Sequence, residues 1–296
     1  MATLYTQQGS NIRKTWYLMG GFFLMVIAIS YAVAFYLNDS SILYIGVAFA
    51  LIMNVGSYWF SDKLVLSMTG ARPVGKAEAP ELYNIVENLA ITAGLPMPKV
   101  YVIDDPAPNA FATGRNPDHA VVAATTGLLH MLDRNEIEGV MAHEMAHVGN
   151  RDMLVMTVAV VLAGFVAIIA DFFSRAMFFG GDRDRHPAFL IFGIVGIILA
   201  PIAAQMIQMA ISRKREYLAD ASAALLTRYP EGLASALEKI SGAKMPMQKT
   251  SHATAHLFIS DPYAGTKPSV MQKIGNLFAT HPPAQDRINI LRAMDM

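Results

Sequence analysis

The chain has 296 residues, 54% of them hydrophobic and 16% charged, with no net charge and no cysteine. A soluble domain of this size carries about a quarter charged residues, and with a mean hydropathy of +0.36 the composition points instead to a membrane protein. Charge neutrality gives no case for nucleic acid or a strongly acidic partner, and the lack of cysteine excludes disulfides, thiolate metal ligands and a cysteine nucleophile.

Four apolar runs stand out, at residues 15–37, 41–60, 153–173 and 188–211. Each is close to the ~20 residues that cross ~30 Å of hydrocarbon as a helix. The competing assignment is a buried core helix. It weighs most on the fourth run, where Pro201, Gln205 and Gln208 should face protein rather than lipid. The first run is too long for a cleavable signal and is followed at once by the second. Basic residues set the orientation. Arg13 and Lys14 precede the first run, Lys63, Arg72 and Lys76 follow the second, and Arg213, Lys214 and Arg215 follow the fourth. Residues 38–40 carry no basic residue, while Arg175, Arg183 and Arg185 oppose the trend. The balance predicts four transmembrane helices with both termini and the long middle segment in the cytoplasm.

The polar sequence falls into two pieces, 61–152 and 212–296. In the first, "APELYNIVENLAITAG" has helical spacing, with Leu82, Ile85, Leu89 and Ile91 placed near one face and Gly94 as the stop. "PKVYVIDD" and "HAVVAAT" are predicted strands. "PAPNAFATGRNPD" between them is turn-rich with an apolar centre. "DRNEIEGVMAHEMAHVGN" is a predicted helix, with Asp133 as N-cap and Glu136 as its capping-box partner. The second piece is mostly helical, through "KREYLADASAALLTR", "EGLASALEKISG" and "PAQDRINILRAM". The predicted organisation is therefore a membrane hairpin (1–60), a first domain part (61–152), a second hairpin (153–211) and a second domain part (212–296).

HEMAH, at 143–147, carries the chemistry. Helical residues four apart share a face, ~6 Å apart along the axis, so His143 and His147 can present two imidazoles to one metal ion. Glu144 projects beside them as a base for a water molecule. The pattern alone is only moderately specific, and a helix that merely carries two histidines is the plainer alternative. A hydrolytic site needs a third protein ligand, and without cysteine it must be histidine, aspartate or glutamate. The extended three-histidine pattern is absent, since Met153 occupies its last position. "EYLAD" offers Glu216, with Asp220 one turn on as a group to hold a ligand histidine's second ring N–H. The same pair also fits an exposed acidic face that balances Arg213 to Arg215. Two apolar runs lie between His147 and Glu216, so the chain leaves and returns to one side. Both halves of a site then meet near one membrane surface.

HEMAH, the downstream EYLAD, "NAFATG" at 109–114 and "THPPAQDRI" at 280–288 together resemble the HtpX group of membrane-bound zinc endopeptidases, relatives of the CAAX prenyl proteases. The resemblance spans essentially the whole chain. It implies a cytoplasmic α+β zincin-like (gluzincin) metalloprotease domain on a four-helix membrane anchor in a bacterial inner membrane. It also implies one Zn2+ per chain, held by His143, His147 and Glu216, with Glu144 as catalytic base. Its expected substrates are polypeptides, chiefly misfolded or damaged membrane proteins under stress. His281 and then His256 are candidate oxyanion donors, each with a structural role as the alternative, and Arg287 is a weaker candidate for orienting either. Asn109, Ala110 and Phe111 would form an edge strand that pairs with substrate backbone, with core packing as the alternative for Phe111. Assembly into a homo-oligomer is left open. Two further functions compete: a dedicated prenyl-protein protease, for which four spans enclose too little space, and a noncatalytic scaffold or chaperone, against which the intact Glu144 argues.

Overall fold

A computed structural model describes residues 4–179, 213–249, 254–265 and 282–294. The first helix, α1, runs Leu4–Leu37, eleven residues earlier than the apolar run. At ~1.5 Å per residue its 34 residues span about 51 Å, against ~30 Å of hydrocarbon, so its polar first turns project beyond the apolar stretch. The second, α2, is Ser41–Trp59. These are the two helices, among the described residues, long and apolar enough by themselves to cross a membrane. Tyr17, Leu24, Phe35, Tyr44 and Ile52 face outward, while Ala50 is sealed between helices and Gly46 lets α2 approach Ser30 of α1. Small residues at a helix crossing are how apolar helices pack without a solvent-driven force.

Helix α3 (Ser61–Thr69) leads into a four-stranded sheet. Its strands are β1 (Arg72–Pro73), β2 (Lys99–Ile103), β3 (Ala110–Gly114) and β4 (Ala120–Thr125), in the order β1-β2-β4-β3. β2 and β4 run parallel, and the outer pairs are antiparallel. The sequence "NAFATG" therefore forms the outermost strand beside β4. Helix α4 (Pro80–Ala93) ends at Gly94 in the left-handed conformation (φ 64°), which glycine adopts without the strain a side chain would bring. Leu82, Ile85, Val86, Leu89 and Ala90 of α4 are buried, but Ile91 is 74% exposed, a correction to its predicted placement. Ile91 lies nine residues after Leu82, about two and a half turns, and so points the opposite way.

After α5 (Thr126–Met131), helix α6 (Arg134–Asn150) is the centre of the domain. Asp133 and Glu136 form the capping box at its start. Nearly every side chain from Glu136 to Val148 is buried, because α6 is covered by the sheet, by α4 and by three later helices: α8 (Arg213–Thr227), α9 (Pro230–Gly242) and α10 (Ala284–Arg292). Gly139 and Gly232 let α6 and α9 meet backbone to backbone.

Helix α7 (Asp152–Phe179) carries the third apolar run and bends away from α6 by 83°. The turn is made by Arg151, a non-glycine residue at φ 56°. Leu154, Val155, Val158 and Leu162 of α7 pack on Leu18, Phe22 and Val26 of α1. Thr157 of α7 meets Thr113 of β3 at 3.1 Å, so the apolar helices and the sheet share α7. The fourth apolar run lies outside the described residues.

Candidate metal centre

His143 and His147 lie one turn apart on α6, with their Nε2 atoms 3.1 Å from each other. Glu216, in the first turn of α8, brings a carboxylate to both: Oε2 is 3.8 Å from His143 Nε2 and Oε1 is 3.7 Å from His147 Nε2. An ion bound tetrahedrally at ~2.0–2.1 Å requires donor atoms about 3.3 Å apart, and this triangle fits that spacing. All three residues are buried. Two imidazole nitrogens and a carboxylate converging in one buried place are a donor set that suits a bound cation.

Each histidine is held from behind by its own aspartate. His143 Nδ1 meets Asp220 Oδ1 at 2.9 Å, one turn beyond Glu216 on α8. His147 Nδ1 meets Asp152 Oδ2 at 3.1 Å, at the start of α7. A ring that donates Nδ1–H to a carboxylate presents its Nε2 lone pair to the site. Asp220 is itself clamped by Arg287 of α10, which donates from Nε to Oδ2 at 2.8 Å and from Nη2 to Oδ1 at 2.6 Å. Arg287 Nη1 also comes within 4.0 Å of Glu216.

In the metal-free chain these contacts divide the two histidines. Burial, aided by the Arg287 charge, pushes His143 down to about 4 against the pull of Asp220. Burial also opposes charging of His147, but the Asp152 hydrogen bond and the Glu216 charge outweigh it and raise His147 to about 9. For Asp220, burial is overcome by the bonds from His143 and Arg287, which hold its carboxyl down to about 2.

Glu144 is 2% exposed, and its charge acts on both His147 and Arg287. His256 is half-buried in a short 3-10 turn, Ala255–Leu257, and His281 lies outside the described residues. Arg287, considered in the sequence as a partner for those two histidines, bonds Asp220. Just before β3, Asn109 directs its side chain to the 260 region: Nδ2 donates to Ser260 O at 3.0 Å, and Ser260 N donates to Oδ1 at 3.2 Å. Ile259 N donates to Ala110 O at 3.0 Å on the strand's outer side. Phe111 is fully buried against Phe258, ring centroids 5.3 Å apart. The side chain of Phe111 is thus core, and what β3 offers the surroundings is backbone. Asp152 and its neighbours were missed by sequence reasoning. The available signal was a carboxylate five residues after His147, just past the end of the helix.

A model of Peptidase family M48 matches residues 76–295. The chain belongs to peptidase family M48. Among relatives, this M48 chain is 49% identical over 292 residues to "Protease HtpX homolog" of Syntrophobacter fumaroxidans, covering 97% of this chain and 100% of that one. It is 44% identical over 302 residues to the protein of the same name in Caldanaerobacter subterraneus subsp. tengcongensis, covering 99% and 98%. Among solved structures, S. mikatae Ste24p shares the fold at a TM-score of 0.52 and 19% identity, over 97% of this chain and 66% of that one. The expected HtpX resemblance holds, and this M48 member is a membrane metalloprotease. The scaffold and prenyl-protease alternatives are not favoured.

Proposed function

We propose that the chain is a zinc endopeptidase that cuts misfolded or damaged membrane proteins at the cytoplasmic face of the cell's inner membrane. The observation that carries this is the buried triangle of His143, His147 and Glu216 beside Glu144. Two imidazoles and one carboxylate, with no thiolate, are a donor set for catalytic zinc. When bound, the ion supplies Lewis acidity, lowering the pKa of water toward ~7 and polarising the scissile carbonyl. His143, His147 and Glu216 hold it. Glu144 takes the proton of the attacking water and returns it to the leaving amine. Asp220 and Asp152 keep the two imidazoles in the tautomer that faces the site. His281, with His256 second, donates to the oxyanion.

Substrate is held along β3. Thr125 N donates to Asn109 O at 2.9 Å, so in the antiparallel alternation Ala110 and Ala112 turn their carbonyls away from β4. With Ala110 taken by Ile259, the backbone of Ala112 and Gly114 is where an added strand pairs. Pairing by backbone accepts any side chain, which suits an enzyme of damaged proteins. The membrane organisation that goes with this function has four spans, with the protease domain split between 61–152 and 212–296. The test is cleavage of an unfolded membrane protein by the purified full chain, with and without a zinc chelator, beside Glu144→Gln. Chelation should abolish cleavage and added zinc restore it. Glu144→Gln should keep zinc and lose turnover. Near-normal turnover by that variant would remove Glu144 from the mechanism.

A further inference from the structure

The first helix reaches the catalytic site. Asn11, on the polar turns of α1 ahead of the apolar run, is fully buried, a rare setting for asparagine. Leaving either end of a buried amide unbonded is costly, and here both ends are bonded. Nδ2 donates to Asp152 Oδ1 at 2.6 Å and to Asn150 O at 3.0 Å, while Oδ1 accepts from Arg215 Nη1 at 3.3 Å. Nearly one turn earlier, Gln8 Nε2 donates to Gly149 O at 2.7 Å.

These partners share one location. The carbonyls of Gly149 and Asn150 belong to the last turn of α6, where a helix leaves its carbonyls without internal partners. The turn at Arg151 bends the chain away there, so α1 supplies the missing donors from across the fold. Asp152 is the first residue after that turn, and its two oxygens divide the work: Oδ1 takes the Asn11 amide, and Oδ2 takes His147 Nδ1. Arg215 is adjacent in sequence to Glu216. Asn11 thus touches Asp152 behind one ligand histidine and the neighbour of the carboxylate ligand.

We propose that Asn11 is a positioning residue for the metal centre. By fixing the Asp152 carboxylate it sets the aim of the His147 ring, so the N-terminal membrane helix helps determine zinc affinity. The inference rests on the reading that His147 is a ligand. If α1 serves only as an anchor, Asn11 is a packing contact, and its loss would act on stability alone.

The experiment uses the full-length chain in detergent. Zinc affinity is measured by competition with a chromophoric chelator, and the metal-free melting temperature is measured in parallel. Asn11→Ala should weaken zinc binding roughly 10-fold, the lower end of the effect of removing an outer partner of a metal ligand. Asn11→Thr, which keeps the volume and offers one hydroxyl donor in place of the amide, should fall between it and the parent, and it decides the question if Asn11→Ala fails to fold. Leu18→Ala, on the same helix and buried in the apolar packing, should lower the metal-free melting temperature and leave zinc affinity unchanged. Parental affinity in the folded Asn11 variants would overturn the proposal. So would an equal loss of affinity in Leu18→Ala, which would make the effect one of packing. Failure of the underlying site is a separate result, since the parent chain would then hold no zinc at all and both readings would fall.

Discussion

Arg287→Met removes the guanidinium that clamps Asp220 while keeping much of the side-chain stem. In the parent both groups are sealed, at 2% and 1% exposure, and they share two charge-assisted bonds at 2.6 and 2.8 Å. Removing one partner leaves a buried carboxylate facing His143 without the two bonds from Arg287, a loss of about 3–5 kcal/mol. At roughly 2–4 °C per kcal/mol for a domain of this size, the apparent melting temperature should fall by roughly 6–20 °C. The assay is thermal unfolding of the metal-free chain in detergent. The double variant Arg287→Met/Asp220→Asn should recover part of the loss, because the orphaned charge is gone and the two sites are directly coupled. A drop below about 2 °C for the single variant, or a double variant worse than the sum of both singles, would refute the clamp.

Gly139→Ala should destabilise despite the better helix propensity of alanine. Its Cβ would stand 2.6 Å from Leu233 N, and overpacking of this kind costs about 1–3 kcal/mol against a gain of at most about 1; a melting temperature equal to or above the parent's would show that α6 and α9 can separate freely. Accessibility tags at Asp118 and Gly242 should both label from the cytoplasm and a tag within residues 180–182 from the opposite side. Opposite labelling of Asp118 and Gly242 would make a shared site impossible. His281→Ala and His256→Ala should each retain zinc, and the one that supplies the oxyanion donor should lose roughly 10²–10³ in kcat, so full rates in both would leave that role to another group.

Local signals made much of the domain legible. Asp133 and Glu136 announced the start of α6, Gly94 the end of α4, and valine-rich runs the strands β2 and β4. Each of these depends on a few consecutive residues. What escaped depends on distance or on an unmarked turn. Residues 4–14, "LYTQQGSNIRK", carry no apolar run, so hydropathy placed the start of the first helix at Thr15, although Asn11 is buried against Asp152, 141 positions away. Asp152 comes behind His147 only because Arg151 takes a left-handed conformation without being glycine, a break that no sequence punctuation marks. The Arg287–Asp220 bond spans 67 positions and joins two helices whose packing spacing alone does not specify. Ile91 shows the opposite error, an apolar residue assigned to the core although its helical phase turns it outward.

The central claim is that a carboxylate from α8, beyond two apolar runs, completes a metal site begun by the histidines of α6. Zinc stoichiometry of purified Glu216→Gln, measured beside Asp220→Asn at ample zinc, tests it most directly. Loss of a ligand should leave Glu216→Gln without metal or activity, while Asp220→Asn should still fill, with affinity lowered by roughly 10–100-fold. A full equivalent of zinc in Glu216→Gln, with none in Asp220→Asn, would show that the third ligand is not Glu216.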